Sequence, residues 1–408
     1  MESQEEILGS LSKEFSICKR CMGRTFGRHK SEGIDITIRH AESLNKEILS
    51  RAVESMDCEL CHGIVDIAIT RTESLIKSLR DFEFKSFLIG VQLGKSFINA
   101  DIAFTKRGLN PLLLKFEIAR ECGVRISEEM DKEVEFQNPE MRITLQCRDS
   151  KKIHYKIEPT AVYILGKYRK EQRGLPQTKW PCNKCKGKGC VQCNNTGQQY
   201  PATVEGIVAK VLTELSGATD ESFHGAGRED IDALMLGEGR PFVLELKKAR
   251  RRSIDLVHAT EQINQSNSVK VSNLRFCEKN VIKLLKTSSA SDRKVYRAKC
   301  SIENFTEEDK LLVDKLSFPL TIAQRTPQRV SHRRADIIRK KKVFGIKVLS
   351  YSTDSVELEI AAQGGTYIKE FISGDEERTR PSISQILGKS TVCTELDVLV
   401  VPDHGLFK

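Results

Sequence analysis

The chain has 408 residues, of which 39% are hydrophobic and 30% are charged, which is typical of a globular protein with room for two or three domains. No run of residues approaches the ~20 apolar positions that a membrane-spanning helix needs. The acidic start of the chain also lacks the basic-then-apolar layout of a secretion signal. We therefore expect a cytoplasmic protein that makes no membrane contact.

The formal net charge of +10 is moderate, but the basic residues are concentrated in short runs. These runs lie at 247–252, at Arg333-Arg334 and at 339–342. Such runs bind phosphates and make association salt-dependent, although a single run can equally be a solvated surface. Several runs around one candidate active site favour a nucleic acid as the partner, and no feature implies a protein partner.

Eight of the thirteen cysteines form Cys-x-x-Cys pairs. In a chain without a secretion signal this spacing indicates zinc rather than disulfides. The first two pairs flank a mixed helical stretch within residues 1–75. Because two turns with two thiolates each complete a tetrahedral shell, we expect a structural zinc ion bound by Cys18, Cys21, Cys58 and Cys61.

The segment 76–180 alternates between predicted strands and a predicted helix. Ser86 to Gly94, Met141 to Arg148 and His154 to Lys167 have strand-like patterns. Asn110 to Arg125 has a helical pattern, with proline at its first helical position. This order resembles a small RNA-binding α/β module of the THUMP type, although an ordinary α/β accessory domain has the same pattern.

The segment 181–200 is a polar linker that contains the third and fourth cysteine pairs. Its Cys-x-x-Cys-x-Gly-x-Gly order resembles a zinc element of chaperones, and its glycines permit the positive φ that such turns need. A site with four thiolates has no open position, so we expect one or two structural zinc ions and no catalytic one. The ligands of this second site would be Cys182, Cys185, Cys190 and Cys193.

Residues 201–408 have the pattern of an α+β domain. An apolar helical stripe runs from Val204 to Leu215. Asp230 to Lys248 is typical of two strands joined by a turn at 237–240. We expect further, mostly antiparallel strands at 269–276, 294–302, 320–325, 343–350 and 355–361.

Two short stretches in this domain have the residue types of an active site. In Gly227-Arg228-Glu229-Asp230, preceding small residues would let a nucleic-acid backbone approach an aspartate. Gly365-Thr366-Tyr367-Ile368-Lys369 would supply a cation. The first stretch is equally typical of a glycine-rich turn, and the residues alone do not decide between Asp230 and Asp232.

The two stretches resemble the Gly-Arg-x-Asp motif and the Gly-Thr-Tyr-Ile-Arg/Lys strand of pseudouridine synthases. Together with the segments 324–334, 374–375 and 395–397 they resemble the Pus-ten family. The compact cysteine segment at 182–193, which resembles a zinc knuckle, is similar to that of its archaeal branch. The resemblance implies the pseudouridine synthase fold, which is a mixed, mainly antiparallel sheet with helices. It also implies isomerisation of uridine in the TΨC arm of tRNA, at the conventional tRNA positions 54 and 55.

The resemblance implies a role for each residue of the site. Asp230 would act as nucleophile, or as base towards the ribose, next to the ammonium of Lys369. Tyr296 would stack on the uracil and help to remove the proton from carbon 5. No cofactor would be needed for catalysis. The substrate would also contact four other residues, Arg228, Tyr367, Ile368 and Leu396.

Two other functions are compatible with the sequence. Asp232, Glu245 and Lys247 resemble the two metal-binding carboxylates and the lysine of magnesium-dependent nucleases. Strand cleavage that a chelator abolishes would support that function, and isomerisation that persists in chelator would exclude it. The third possibility is a zinc protein that binds RNA, or unfolded chains as a co-chaperone does, without changing them.

Overall fold

The computed structural model describes residues 3–27, 35–148, 152–288 and 292–407. The chain forms two compact units, the first made of residues 1–160 and 248–253 and the second of residues 161–247 and 254–408. Both units combine helices with a sheet, so the α+β class is confirmed. In the described ranges we find no helix that is long and apolar enough to span a membrane.

The first unit contains a four-stranded sheet of order β2-β1-β3-β4. Its strands are β1 (Ser86–Leu93), β2 (Glu133–Val134), β3 (Met141–Cys147) and β4 (Ile153–Pro159). β1 is parallel to β2 and β3, and β3 is antiparallel to β4. The helices are α1 (Gln4–Glu14), α2 (Lys19–Gly23), α3 (Ile36–Glu42), α4 (Lys46–Leu49), α5 (Ile64–Leu79), α6 (Lys95–Thr105) and α7 (Leu114–Met130), with 3₁₀ turns at Arg24–Phe26 and Ser55–Asp57.

The second unit is built on one large sheet of order β13-β10-β11-β12-β9-β14-β7-β5-β8, and β6 also pairs with β7. Among the strand pairings of this sheet in the described residues, β14–β7 alone is parallel, so the sheet is mixed and mainly antiparallel as expected. Its strands are β5 (Val162–Lys170), β6 (Asp220–Gly225), β7 (Leu234–Lys247), β8 (Val269–Cys277), β9 (Arg293–Ile302), β10 (Leu320–Arg325), β11 (Ile338–Ser352), β12 (Ser355–Gln363), β13 (Thr379–Arg380) and β14 (Thr391–Val400).

The second unit also has helices in the connections between these strands. They are α8 (Val204–Ser216), α9 (Leu256–Ile263), α10 (Asn280–Ser288), α11 (Glu307–Asp314), α12 (Ile368–Ser373) and α13 (Ile383–Leu387), with 3₁₀ turns at Val191–Cys193 and Gln328–Arg333. α8 follows the predicted apolar stripe, and the side chain of Thr203 caps its first turn by accepting from the Gly206 N–H at 2.8 Å.

The predicted strand from His154 to Lys167 is two strands in different sheets. β4 ends at Pro159 and pairs with β3, whereas β5 pairs with β7 and β8. The chain therefore leaves the first sheet before position 162, and β5 belongs to the second unit rather than to the segment 76–180. Proline lacks the N–H that a continuing ladder would need, which explains the break.

The hairpin predicted between Asp230 and Lys248 is a single strand, β7, preceded by a loop. Two glycines inside it, Gly237 and Gly239, have φ of 60° and 86°. A Cβ at Gly237 would lie 2.1 Å from the Leu399 carbonyl oxygen. The glycines are therefore needed because β7 lies close to neighbouring backbone, and they do not form a reversing turn. The start of β7 pairs with β14 and its later part with β5, which positions the preceding loop, residues 226–233.

The stretch 365–369 is not the strand that its resemblance implied. The Thr366 N–H and hydroxyl both donate to the Gln363 carbonyl and end β12. Gly365 then turns with φ of 76°, and Ile368 begins α12. The lysine of this stretch is therefore carried by the first turn of a helix.

Candidate active site

Buried charged and polar groups anchor the loop 226–233. The Glu229 side chain is 1% exposed and accepts from Arg240 Nε at 2.9 Å and from the Tyr168 hydroxyl at 2.8 Å. Arg240 also donates to the Ala226 carbonyl at 2.8 Å. Because Glu229 is turned into the core, the flanking Arg228 and Asp230 remain accessible.

The same loop is held by the ammonium of Lys170, the last residue of β5. Lys170 is fully buried, and its Nζ donates to the carbonyl oxygens of Leu175, Asp230 and Ile231 at 2.9, 3.1 and 3.1 Å. Burial lowers the pKa of Lys170 to about 8, although the charge of Glu229 opposes the shift. The backbone of Asp230 is thus tied to a buried lysine that the sequence reasoning missed.

The carboxylate of Asp230 is bound by Arg329. Nη1 lies 3.1 Å from Oδ1 and Nη2 lies 3.0 Å from Oδ2, which is a bidentate pair. Arg329 lies in the 3₁₀ turn after β10, and its Nε donates to Glu370 of α12 at 2.6 Å. Burial would lower the pKa of Arg329, but the hydrogen bond to Glu370 and the charges of Glu370 and Asp230 raise it overall.

The expected pairing of Lys369 with Asp230 is corrected by this arrangement. Lys369 Nζ lies 2.5 Å from Asp232 Oδ2. Glu370, the next residue of α12, binds Arg329, which in turn binds Asp230. Lys369 therefore pairs with the more exposed Asp232. Burial would raise the pKa of Asp232, but the hydrogen bond and the charge of Lys369 lower it overall.

Tyr296 and Asp230 lie close enough to interact electrostatically. Tyr296 is on β9, opposite Ile360 of β12 and Val398 of β14, and is 9% exposed. Burial raises its pKa to about 12; the charge of Arg240 opposes this shift and that of Asp230 adds to it. The charge of Asp230 thus acts on Tyr296, and the catalytic roles expected of the two residues stay predictions.

The four residues expected to bind substrate lie in different environments. The Tyr367 hydroxyl accepts from Arg334 Nη1 at 2.9 Å, and its backbone N–H donates to Gln324 at 2.8 Å. Ile368 and Leu396 are buried, which fits apolar walls and core packing equally. Arg228 is exposed, and its guanidinium carbon lies 4.9 Å from the centre of the Trp180 ring, within the range of a cation–π contact.

Arg329 was part of the segment 324–334 that carried the family resemblance, but no role was assigned to it. Arg329 lies 99 positions after Asp230 and 36 before Gly365, so its place in the sequence gives no pattern by itself. The available signal was the density of arginines in a predicted connection between two strands, and only the fold shows which of them reaches Asp230.

The first cysteine cluster lies in the core of the first unit, and Cys18, Cys21, Cys58 and Cys61 are all buried. Their sulfurs lie within 4.8 Å of one another, and Cys18 to Cys61 is 3.6 Å. Sulfurs on a tetrahedron around zinc are separated by roughly 3.8 Å, given Zn–S bonds of ~2.3 Å. The four residues therefore fit a structural zinc ion.

The second cluster is a half-exposed knuckle in the second unit. Cys182 to Cys190 is 3.9 Å, Cys185 to Cys193 is 3.8 Å and Cys190 to Cys193 is 3.7 Å, which again fits the zinc tetrahedron and is far from a disulfide bond. Backbone N–H groups of Gly189 and Gly197 donate to the sulfurs, as expected for thiolate ligands. A zinc ion bound by these four cysteines would brace the loop that carries them.

The residues of the possible nuclease site are not assembled. Asp232 pairs with Lys369, Glu245 contacts His224 Nε2 at 3.1 Å, and Lys247 pairs with Asp220 at 2.9 Å. Within the ranges that the structure covers, the groups of three or more side chains that could hold a metal ion are the two cysteine clusters. The geometry therefore does not support the magnesium-dependent nuclease.

Two family models match the chain. One, described as "Pus10, C-terminal", matches residues 163–402, and the other, described as "Pus10 THUMP domain, archaeal", matches residues 72–146. The THUMP-type module is thereby confirmed. A solved Cbf5-Nop10-Gar1 complex contains a chain that is 18% identical, with a TM-score of 0.30, over 48% of this chain and 44% of that chain; at this score the likeness supports no inference.

Archaeal relatives match over nearly their full length. A tRNA pseudouridine synthase Pus10 of Methanothermobacter marburgensis is 39% identical over 98% of this chain and 99% of that protein. The protein of the same name from Methanocaldococcus jannaschii is 36% identical over 100% of this chain and 96% of that protein. The chain therefore belongs to the Pus10 family of tRNA pseudouridine synthases.

Proposed function

We propose that Asp230, Arg329 and Tyr296 form the site at which a uridine of tRNA is isomerised to pseudouridine. The observation that carries the proposal is the Asp230 carboxylate, which Arg329 binds through two nitrogens. The charge of Asp230 also acts on the buried Tyr296. The name that the relatives share, tRNA pseudouridine synthase, supports tRNA as the substrate.

In the proposed reaction the bond between N1 of the uracil and C1′ of the ribose breaks, and a bond between C5 and C1′ forms. One proton leaves C5 and one is taken up by N1, so atoms and electrons balance without an oxidant or a reductant. Asp230 acts either as nucleophile at the ribose or as base towards it. The chemistry therefore requires no cofactor, and zinc would serve the structure only.

Tyr296 is suited to stacking on the uracil and to hydrogen bonding as a neutral phenol. Because its pKa is raised to about 12, it is protonated at neutral pH and is a weak base on its own. If it accepts the C5 proton, its own proton must pass to a second acceptor. The Asp230 carboxylate, whose charge already acts on Tyr296, is the candidate for that acceptor.

We infer that the target uridine lies in the TΨC arm, at position 54, position 55 or both. A base in a folded arm must be flipped out of its stack at a cost of a few kcal/mol. Cations near the site, among them Arg334 beside Tyr367 and Lys369 on α12, support binding of the phosphates that flank a flipped nucleotide. Ile368 and Leu396 would form the apolar side of the base pocket.

The proposal is tested by incubating the protein with an unmodified tRNA transcript and mapping pseudouridine chemically. We expect product at position 54 or 55, and none from Asp230→Asn, in which removal of the nucleophile lowers the rate by at least about 1,000-fold. The tRNA affinity of this variant should stay within a few-fold of the wild type.

Asp232→Asn is the matched control, since it removes a carboxylate two residues away without touching Arg329. It should retain most of the activity. Product from Asp230→Asn, or loss of product from Asp232→Asn alone, would assign the reaction to the other aspartate. Cleavage of the tRNA strand that a magnesium chelator abolishes would revive the nuclease-type site.

A further inference from the structure

The knuckle between positions 179 and 202 has an unusual charge. This stretch contains no aspartate or glutamate and carries four lysines. Lys179 is paired with Glu221. The other three, Lys184, Lys186 and Lys188, are exposed, and none of them has an ion-pair partner in the part of the chain that the structure describes.

The fold of the knuckle fixes the backbone positions from which these lysine side chains extend. They alternate with the sulfurs of the second cysteine cluster, and the turn that carries them has positive φ at Lys186, Gly187 and Gly189. The Lys186 N–H donates to the Cys182 carbonyl at 2.8 Å. Three ammonium groups are thus presented by one short, braced loop rather than by a flexible tail.

The knuckle is joined to the loop of Asp230. At its base the Cys182 N–H donates to the Gly197 carbonyl at 2.7 Å. The rings of Trp180 and Tyr200, on either side of the cysteines, meet edge to face with centroids 5.7 Å apart. Arg228 lies 4.9 Å over the Trp180 ring and is two residues from Asp230 in the same unit.

We define the knuckle surface as Lys184, Lys186, Lys188 and Arg228, and we propose that it binds phosphates of the substrate tRNA next to the flipped uridine. This proposal rests on the proposed function and names the RNA contact of the same site. Exposed cations on a loop that contacts the loop of Asp230 through Trp180 and Arg228 match the negative backbone of a bound RNA. An acidic protein would also be attracted to the lysines, but it would have no reason to engage the loop that carries the aspartate.

A structural alternative explains the lysines without RNA. A divalent ion with four thiolates has a formal charge of −2, and three nearby ammonium groups would offset it. In that case the lysines would support zinc binding and contribute nothing to tRNA affinity. The two explanations therefore differ in a measurable way.

The test uses the full-length chain with Lys184, Lys186 and Lys188 all changed to Gln. The measurements are zinc content, the Kd for unmodified tRNA transcript at several salt concentrations, and kcat at saturating tRNA. If each lysine contacts one phosphate, the slope of log affinity against log salt falls by about 0.7–0.9 per lost contact. For three lost contacts we expect the slope to fall by about 2.1–2.7 in total, with at least 10-fold weaker binding at moderate salt and unchanged zinc content and kcat.

The matched control changes three exposed lysines that are remote in sequence from the knuckle and have no ion pair among the described residues, namely Lys286 on α10, Lys315 after α11 and Lys347 on β11. It removes the same charge and should leave Kd and the salt slope near those of the wild type. An equal loss of affinity in both triple variants would mean that only net charge matters and would overturn the proposal. An unchanged Kd, or a loss of zinc from the knuckle variant, would overturn it as well.

The experiment distinguishes failure of the knuckle surface from failure of the proposed function. A wild-type protein that binds tRNA through the knuckle lysines but makes no pseudouridine refutes the proposed function alone. A wild-type protein that makes pseudouridine, with a knuckle variant that binds tRNA equally well, refutes the knuckle surface alone.

Discussion

Arg329 binds Asp230 through both terminal nitrogens, at 3.1 and 3.0 Å, and uses its third nitrogen to hold Glu370 at 2.6 Å. It therefore links the loop before β7 to α12. A planar guanidinium can engage two carboxylates along two edges, whereas a lysine ammonium is a single point charge. The orientation of Asp230 depends on this geometry as well as on the positive charge.

Arg329→Lys should therefore lower kcat far more than Lys369→Met does. We expect the first variant to lose about 10- to 100-fold in kcat, because misplacement of a reacting group by about 1 Å can cost about 100-fold. Lys369→Met should cost less than 10-fold, because it releases only Asp232. Single-turnover rates with unmodified tRNA measure the effect. The reverse order would restore Lys369 as the functional partner of Asp230.

Lys170→Met should both destabilise the second unit and lower activity. The methionine fills most of the volume but removes the ammonium donor. The carbonyls of Asp230 and Ile231 keep the N–H groups of Ala233 and Gly174, whereas the Leu175 carbonyl loses its donor. Leaving one buried polar group unsatisfied costs about 1–3 kcal/mol, and the loop of Asp230 loses its anchor. The temperature of thermal unfolding and kcat should both fall. Lys210→Met, at an exposed position of α8, is the control and should change neither; normal activity with Lys170→Met would show that the anchor is dispensable.

Tyr296 should make the protein sensitive to alkali. Its folded-state pKa of about 12 lies above the value of about 10 for an unfolded chain, so above pH 10 the unfolded state releases this proton first. The contribution of Tyr296 is present below pH 10 and is lost between pH 10 and 12, to an extent of up to about 2–3 kcal/mol.

Denaturant unfolding at pH 8 and at pH 11 measures this contribution as the difference between wild type and Tyr296→Phe. The wild type should lose more stability than the variant over that range. In the neutral range the phenol does not ionise, so both proteins should have pH–rate profiles of the same shape. A rate that rises with pH in the wild type alone would instead identify an ionised Tyr296 as the base.

The local sequence pattern predicted much of the fold correctly. Several of the predictions that failed depend on contacts between residues far apart in the sequence. The cysteine pairs, the α8 stripe and the strands around β9 depend on neighbours in the sequence. Distant residues decided several of the wrong predictions: pairing with β7 and β8 takes β5 into the second sheet, although Pro159 was a local signal for the break, and Leu399 requires the glycine that was assigned to a turn. The pairing of Asp230 belongs to the same class, because Glu370 determines where Arg329 lies.

The two cysteine clusters should respond differently to the same substitution. We expect two zinc ions per chain, and Cys58→Ser and Cys190→Ser should each remove one of them. Cys58 is fully buried in the core of the first unit, so its loss should unfold that unit, since structural zinc binding is itself folding energy. Cys190 is half-exposed in a surface knuckle, so its loss should leave the main unfolding transition in place.

Metal analysis and thermal unfolding of the full-length variants measure these effects, and Cys277→Ser, at a half-buried cysteine outside both clusters, is the control. It should retain both ions. Because Trp180 and Arg228 adjoin the knuckle, Cys190→Ser should also weaken tRNA binding while the first unit stays folded. If Cys190→Ser lowered the main transition as far as Cys58→Ser does, the knuckle would be part of a folding core and not a surface element that positions the loop of Asp230.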